Sequence, residues 1–296
     1  MQSLFRSASS RRAFLRNGTL LVAGLGSGRL LSADPEAKAL VRVGLMTDLH
    51  YGDKPSTKTR FYREALGKLD EAVDFMNREK PDCVVELGDF IDQAPSVDEE
   101  LAWLATMESH YSRLAVPRHY VLGNHCVTTL TKAEFASTTG AGADSYTSFG
   151  HGGIRFLILD ACFREDGVPY SRGNAHWQDT AIPAEEIRWL RDELGKADGP
   201  VVVLAHQRLD GDVAHAVKNA AEVRSVLEAS GKVLAVFQGH SHKNDLQEIA
   251  GIPYCTLAAM IEGSGAENSA YAMLEILPDS SLRLRGFRQQ ADRAFG

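Results

Sequence analysis

Five short groups of residues in this chain carry side chains that could do metal chemistry. They are Asp48-Leu49-His50, Gly88-Asp89, Gly123-Asn124-His125, the lone His206, and Gly239-His240-Ser241-His242. Carboxylate, amide and imidazole are oxygen and nitrogen donors, a set that suits Mn, Fe or Zn rather than a metal that prefers thiolates. Taken singly, a D-x-H or G-D is usually a turn, and a single histidine is usually a satisfied structural residue. All five in order, each closing an apolar run, point instead to one site.

The runs they close read as strands: 41–48, 83–89, 119–124, 201–206 and 232–240, with another at 154–160 that ends in Asp160. Between them lie segments with helical spacing. Phe61, Ala65, Leu69, Val73 and Met76 recur on one face of 60–77, and 99–110 reads as a second helix. Another opens at Pro183 with Ile187, Leu190 and Leu194 on one face, and one runs from Asn219 to Ala229. Short strand-like stretches follow near 252–258, 270–277 and 281–288, while 140–153 and 163–182 read as long irregular loops. Alternating strands and helices with extra strands at the end give an α/β fold with a second sheet. In open α/β sheets ligands sit beyond the carboxyl ends of the strands, so the five groups are expected to converge.

D-x-H, G-D, G-N-H, H and G-H-x-H in this order resemble the calcineurin-like metallophosphoesterases, over residues 45–242. The resemblance implies a two-sheet α/β/β/α sandwich over residues 40–296 and two metal ions. Asp48, His50, Asp89 and His242 would hold one metal. Asp89 would bridge to the second, held also by Asn124, His206 and His240. The implied reaction is hydrolysis of a phosphate ester or diphosphate by a metal-bound hydroxide, with His125 protonating the leaving oxygen. Two metals about 3.5–4 Å apart can clamp a phosphoryl group for in-line displacement, and an imidazole is suited to the acid role when its pKa is held up.

One position departs from the family pattern. Where an acidic residue commonly follows the histidine, this chain has Cys126, a weak donor and acceptor. Asp92, in "GDFID", and Asp160, at the end of "FLILD", are the nearest acids that could support His125 instead. A narrower resemblance, in "TRFYREALGKLDEAVDFMN", "LGDFID" and "FLILDACF", is to the manganese-dependent ADP-ribose/CDP-alcohol diphosphatase branch. It implies a small substrate with a P–O–P or phosphodiester link. Arg60, Tyr62, Asn174, Trp177 and Arg208 are candidate substrate contacts; Arg208 lies two residues past His206 and could meet a phosphate oxygen. The rival reading is a protein that keeps the fold and the metals, binds, and no longer catalyses.

The N-terminus has a separate character. Arginines at 6, 11, 12 and 16 precede a glycine-rich apolar stretch from Thr19 to Leu31. Ser10-Arg11-Arg12-Ala13-Phe14-Leu15 resembles a twin-arginine export signal, and Ala37-Lys38-Ala39 fits a small-x-small cleavage site. Export would leave residues 40–296 periplasmic or extracellular. Removing six of the 32 Lys/Arg and two of the 39 Asp/Glu leaves 26 basic against 37 acidic residues, a balance of −11. Such a surface disfavours nucleic acid as a partner, and residues 40–296 hold no apolar run of 18 that would span a membrane.

Overall fold

The computed structural model describes residues 38–211 and 214–296, and also two short strands, β1 (Leu15–Arg16) and β2 (Thr19–Leu20), which pair antiparallel in a unit of their own. The expected export signal over 1–39 falls almost wholly outside the described residues.

The larger unit begins with β3 (Val41–Met46), whose side chains alternate between two cores. Val41, Val43 and Leu45 face a second sheet, while Met46 faces a helix. At Gly44 a Cβ would lie 2.6 Å from Met76 Sδ, so the helix presses directly on the strand backbone. That helix is α1 (Ala65–Glu79), which buries Leu69, Val73 and Met76, the positions that the spacing in the sequence picks out. β4 (Cys83–Glu86), α2 (Val97–Tyr111) and β5 (Arg118–Tyr120) follow, with β3, β4 and β5 parallel. A Ser96 side chain caps α2 by accepting from Glu99 N, three acids filling its first turn.

The second half repeats the plan. α3 (Lys132–Thr139), β6 (Thr147–His151), β7 (Ile154–Ile158), α4 (Ala184–Lys196), β8 (Val201–Leu204), α5 (Ala220–Ser230) and β9 (Val233–Gln238) lead into β10 (Asp245–Ile249), β11 (Ile252–Thr256), β12 (Ala270–Ile276), β13 (Leu282–Arg288) and β14 (Arg293–Phe295). One sheet has the order β14-β13-β12-β3-β4-β5 and the other β10-β11-β9-β8-β7-β6. Their inner faces meet through Leu45, Val85, Phe156, Leu204, Phe237 and Leu274, each fully buried. Helices α1 and α2 cover the first sheet, α4 and α5 the second. This is the α/β/β/α sandwich.

Four elements of the larger unit lie where the sequence shows no strand or helix, among them the three-residue edge strand β14. β6 falls within the segment read as an irregular loop; it is an edge strand, "TSFGH", with no buried residue to create a pattern. β10 is likewise an edge strand with mostly exposed side chains. α3 lacks an apolar face but is started by a capping box, in which Thr131 accepts from Glu134 N and Glu134 from Thr131 N.

Candidate metal centre

The carboxyl ends of β3, β4, β5, β8 and β9 bring the five motifs to one place. Among the described residues, three overlapping groups have ligand atoms within 4.8 Å of one another: Asp48, His50 and His242; His50, Asp89 and His125; Asp89, His206 and His240. Asp89 Oδ2 stands between the two ends, 3.4 Å from His50 Nε2 and 3.1 Å from His206 Nε2.

The backbone is bent sharply to achieve this. Asp48, His50, Asp89, His240 and His242 all have φ between 47° and 69°, a left-handed region that costs of order 1–3 kcal/mol per non-glycine residue. Packing around the motif glycines holds the bends. A Cβ at Gly88, itself at φ 104°, would lie 2.4 Å from His206 Nδ1, and one at Gly123 would lie 2.2 Å from both Asp89 N and Asp89 Oδ1.

Several of these side chains are satisfied on one side and bare on the other. Asp48 Oδ2 accepts from Thr47 Oγ1 at 2.8 Å and His240 N at 3.0 Å, leaving buried Oδ1 without a hydrogen bond among the described residues, 3.4 Å from His242 Nε2. Asp89 Oδ1 accepts from His125 N at 2.8 Å. His206 Nδ1 faces Leu87 O at 2.9 Å; a carbonyl only accepts, so Nδ1 carries the proton and Nε2 presents its lone pair. His242 Nδ1 faces Glu262 Oε1 at 2.7 Å in the same sense. Asn124 Oδ1 and His240 Nε2 are also buried and unpartnered. His50 Nε2 and His242 Nε2 lie 3.1 Å apart, as do His206 Nε2 and His240 Nδ1 at 3.2 Å. Buried oxygens without donors and imidazole nitrogens crowded face to face fit cations held between them.

Charge follows the same layout. Burial works against the Asp48 carboxylate, but His242, His50 and His206 outweigh it and hold its pKa well down. Burial opposes the Asp89 charge too, and His206, His125 and His50 reverse that. His240 goes the other way: burial and the neighbouring His206 push it down to about 3, leaving it neutral as a ligand must be.

His125 lies beside the cluster, its ring 4.6 Å from that of His50. Its Nδ1 is 2.5 Å from Asp92 Oδ1. Burial disfavours its charged form, but Asp89 and the Asp92 hydrogen bond overcome this and raise its pKa. Asp92 Oδ2 in turn pairs with Lys54 Nζ at 3.0 Å. Of the two acids proposed to support His125, Asp160 lies elsewhere. It pairs with Lys132 Nζ and accepts from Cys162 N. Cys126 is fully buried, its Sγ accepting from Phe90 N at 3.3 Å, with burial pushing the thiol well up. It packs under the turn and offers no nucleophile.

The candidate substrate contacts divide. Trp177 stays 39% exposed, its ring 6.2 Å from that of His240 and 5.0 Å from that of His215. Arg60 Nε is 3.9 Å from Glu262 Oε1. Tyr62 is buried beneath Lys54, whose Nζ sits 4.4 Å from the ring centre. Asn174 closes its own loop, accepting from Ser171 N and donating to Pro169 O. Arg208 also has other work: Asp210 holds both Nε and Nη2, and Asp245 accepts from Nη2 at 2.6 Å, so the guanidinium is not directed at a phosphate. Lys54, His215 and Glu262 belong to the site and belong to none of the motifs.

The profile of the calcineurin-like phosphoesterase family matches residues 41–244. A manganese-dependent ADP-ribose/CDP-alcohol diphosphatase of Danio rerio is 24% identical over 280 residues, covering 74% of this chain and 87% of the relative. The serine/threonine-protein phosphatase CPPED1 of Bos taurus is 28% identical over 236 residues, covering 72% and 68%. The crystal structure of a dimetal phosphatase from Danio rerio superposes with a TM-score of 0.77 at 21% identity, over 87% of this chain and 99% of that one.

Proposed function

Because the chain belongs to the calcineurin-like phosphoesterase family, we propose that this metal-dependent phosphoesterase hydrolyses a small phosphate ester or diphosphate, with His125 as the proton donor. The observation that carries the reading is the convergence of Asp48, His50, Asp89, Asn124, His206, His240 and His242, with buried oxygens left bare, beside a histidine backed by a carboxylate. Asp48, His50, Asp89 and His242 would hold one metal, and Asp89, Asn124, His206 and His240 the other. When bound, such metals act as Lewis acids that polarise a phosphoryl group and activate water.

The side chains themselves would do the rest. Asp89, lying between the two histidine groups, sets the spacing. Asp92 accepts the Nδ1 proton of His125, which turns protonated Nε2 toward the leaving oxygen. The raised pKa keeps that proton available near neutral pH. Trp177 and Arg60 stand at the edges of the site, where an organic leaving group and its charge would lie. The two relatives point to different bonds, a P–O–P link in the diphosphatase and a phosphate monoester in the serine/threonine-protein phosphatase.

The test is hydrolysis of p-nitrophenyl phosphate, bis-p-nitrophenyl phosphate and ADP-ribose side by side, with Mn²⁺ added and then chelated. Metal-dependent turnover supports the reading, and the preferred substrate selects the bond. No turnover with both metals bound favours a binding protein on this fold. The Ser10–Leu15 pattern supports export, and N-terminal sequencing of protein from the periplasmic fraction tests it.

A further inference from the structure

The segment from Met260 to Gly263 runs beside the first ligand group and is pinned from below by a buried cation. Lys68, on α1 and 1% exposed, donates from Nζ to Met260 O at 2.7 Å, Glu262 O at 3.0 Å and Gly263 O at 2.7 Å. That uses all three donors of an ammonium. Burying an ammonium is unfavourable unless its hydrogen bonds are complete, and an apolar residue would serve simple packing better. The segment is tied on its other side as well. Met260 N donates to Thr47 O at 3.1 Å, and Ile261 N to the carbonyl of Asp48 itself at 3.0 Å. Glu64, at the start of α1, accepts from Gly265 N at 2.7 Å.

The one side chain these ties direct into the site is Glu262. Its Oε1 lies 2.7 Å from His242 Nδ1, while His242 Nε2 faces Asp48 Oδ1 at 3.4 Å and His50 Nε2 at 3.1 Å. A carboxylate can only accept, so it selects the tautomer with the proton on Nδ1 and the lone pair on Nε2, aimed into the first ligand group.

We propose that Glu262 is the positioning residue of the first metal position, and that Lys68 holds it there by pinning the Met260–Gly263 segment. The inference rests on the two-metal reading above. It makes the affinity of one metal position depend on residues 20 positions beyond the last motif and on a lysine in a helix.

The experiment is Mn²⁺ titration calorimetry with metal analysis on the full chain, which reads binding without reference to turnover. Glu262→Ala is expected to weaken one of two Mn²⁺ sites by about 10- to 100-fold and leave the other within a few-fold. Glu262→Gln, which still offers an acceptor, should lose less. Lys68→Met, checked by thermal melting to remain folded, should weaken the same site. Two Mn²⁺ sites of parental affinity in Glu262→Ala overturn the proposal, as does a loss in Glu262→Gln as large as that in Glu262→Ala. A parent that binds two Mn²⁺ yet hydrolyses nothing overturns the functional reading alone.

Discussion

Asp92 Oδ1 and His125 Nδ1 lie 2.5 Å apart across 33 residues of sequence, joining the loop after β4 to the turn after β5. That contact supplies the carboxylate missing from position 126. Asp92 is in turn held by Lys54 and by the backbone N–H of Gln93, so the imidazole is oriented from a rigid base.

Asp92→Asn keeps the shape and removes the charge. The charge helps to raise the pKa of His125, so its loss should lower that pKa, and the acid form should vanish at a lower pH. The alkaline limb of kcat/KM is expected to move toward acid, with activity falling by less than the roughly 10²–10⁴-fold typical of losing a general acid outright. A pH profile of the variant beside His125→Ala checks this. An unmoved limb removes Asp92 from the role.

Gly123→Ala places a methyl group where Asp89 N and Oδ1 already stand, 2.2 Å away. The expected result is destabilisation of about 1–3 kcal/mol from overpacking, with Mn²⁺ content per chain reduced because Asp89 must move. Metal analysis and a denaturant melt of the purified variant read both. Full metal content would mean that the turn yields without disturbing the carboxylate.

Metal should stabilise the fold. Asp48 and Asp89 are buried, and cations that bind only the folded chain draw the equilibrium toward it. At a free Mn²⁺ concentration of 100 times Kd the gain is about 2.7 kcal/mol per site. Melting temperature should rise with Mn²⁺ and return on addition of a chelator. Equal melting temperatures in the two conditions would contradict a folded-state metal site.

His119 gives a pH dependence unrelated to the site. Its ring stacks 3.7 Å from that of Phe149, and burial holds its pKa down to about 4. The unfolded chain takes up that proton near pH 6.5. Between about 6.5 and 4 the unfolded state therefore binds more protons, so this contribution is full above pH 6.5 and lost as pH falls toward 4. His119→Phe should lose less melting temperature than the parent between pH 7 and pH 4.5. A parallel loss in both proteins would place the acid sensitivity elsewhere.

The sequence by itself determined the buried strands, the helices with strong apolar faces, and which residues end those strands. Those signals are local: Val41, Val43 and Leu45 alternate, and Asp48 and His50 follow at once. Edge strand β6 and helix α3 carry no such pattern, because one buries almost nothing and the other is set by its cap. Only the tertiary structure decided between Asp92 and Asp160, since both follow strands and only folding puts one against His125 and the other against Lys132. It also turned Arg208 toward Asp210 and Asp245, and brought Glu262 to His242. Periodicity records which face of an element is buried. Which polar groups then meet depends on where distant loops cross and on left-handed turns at Asp48, Asp89 and His242, whose strain is balanced only by contacts made across the whole sandwich.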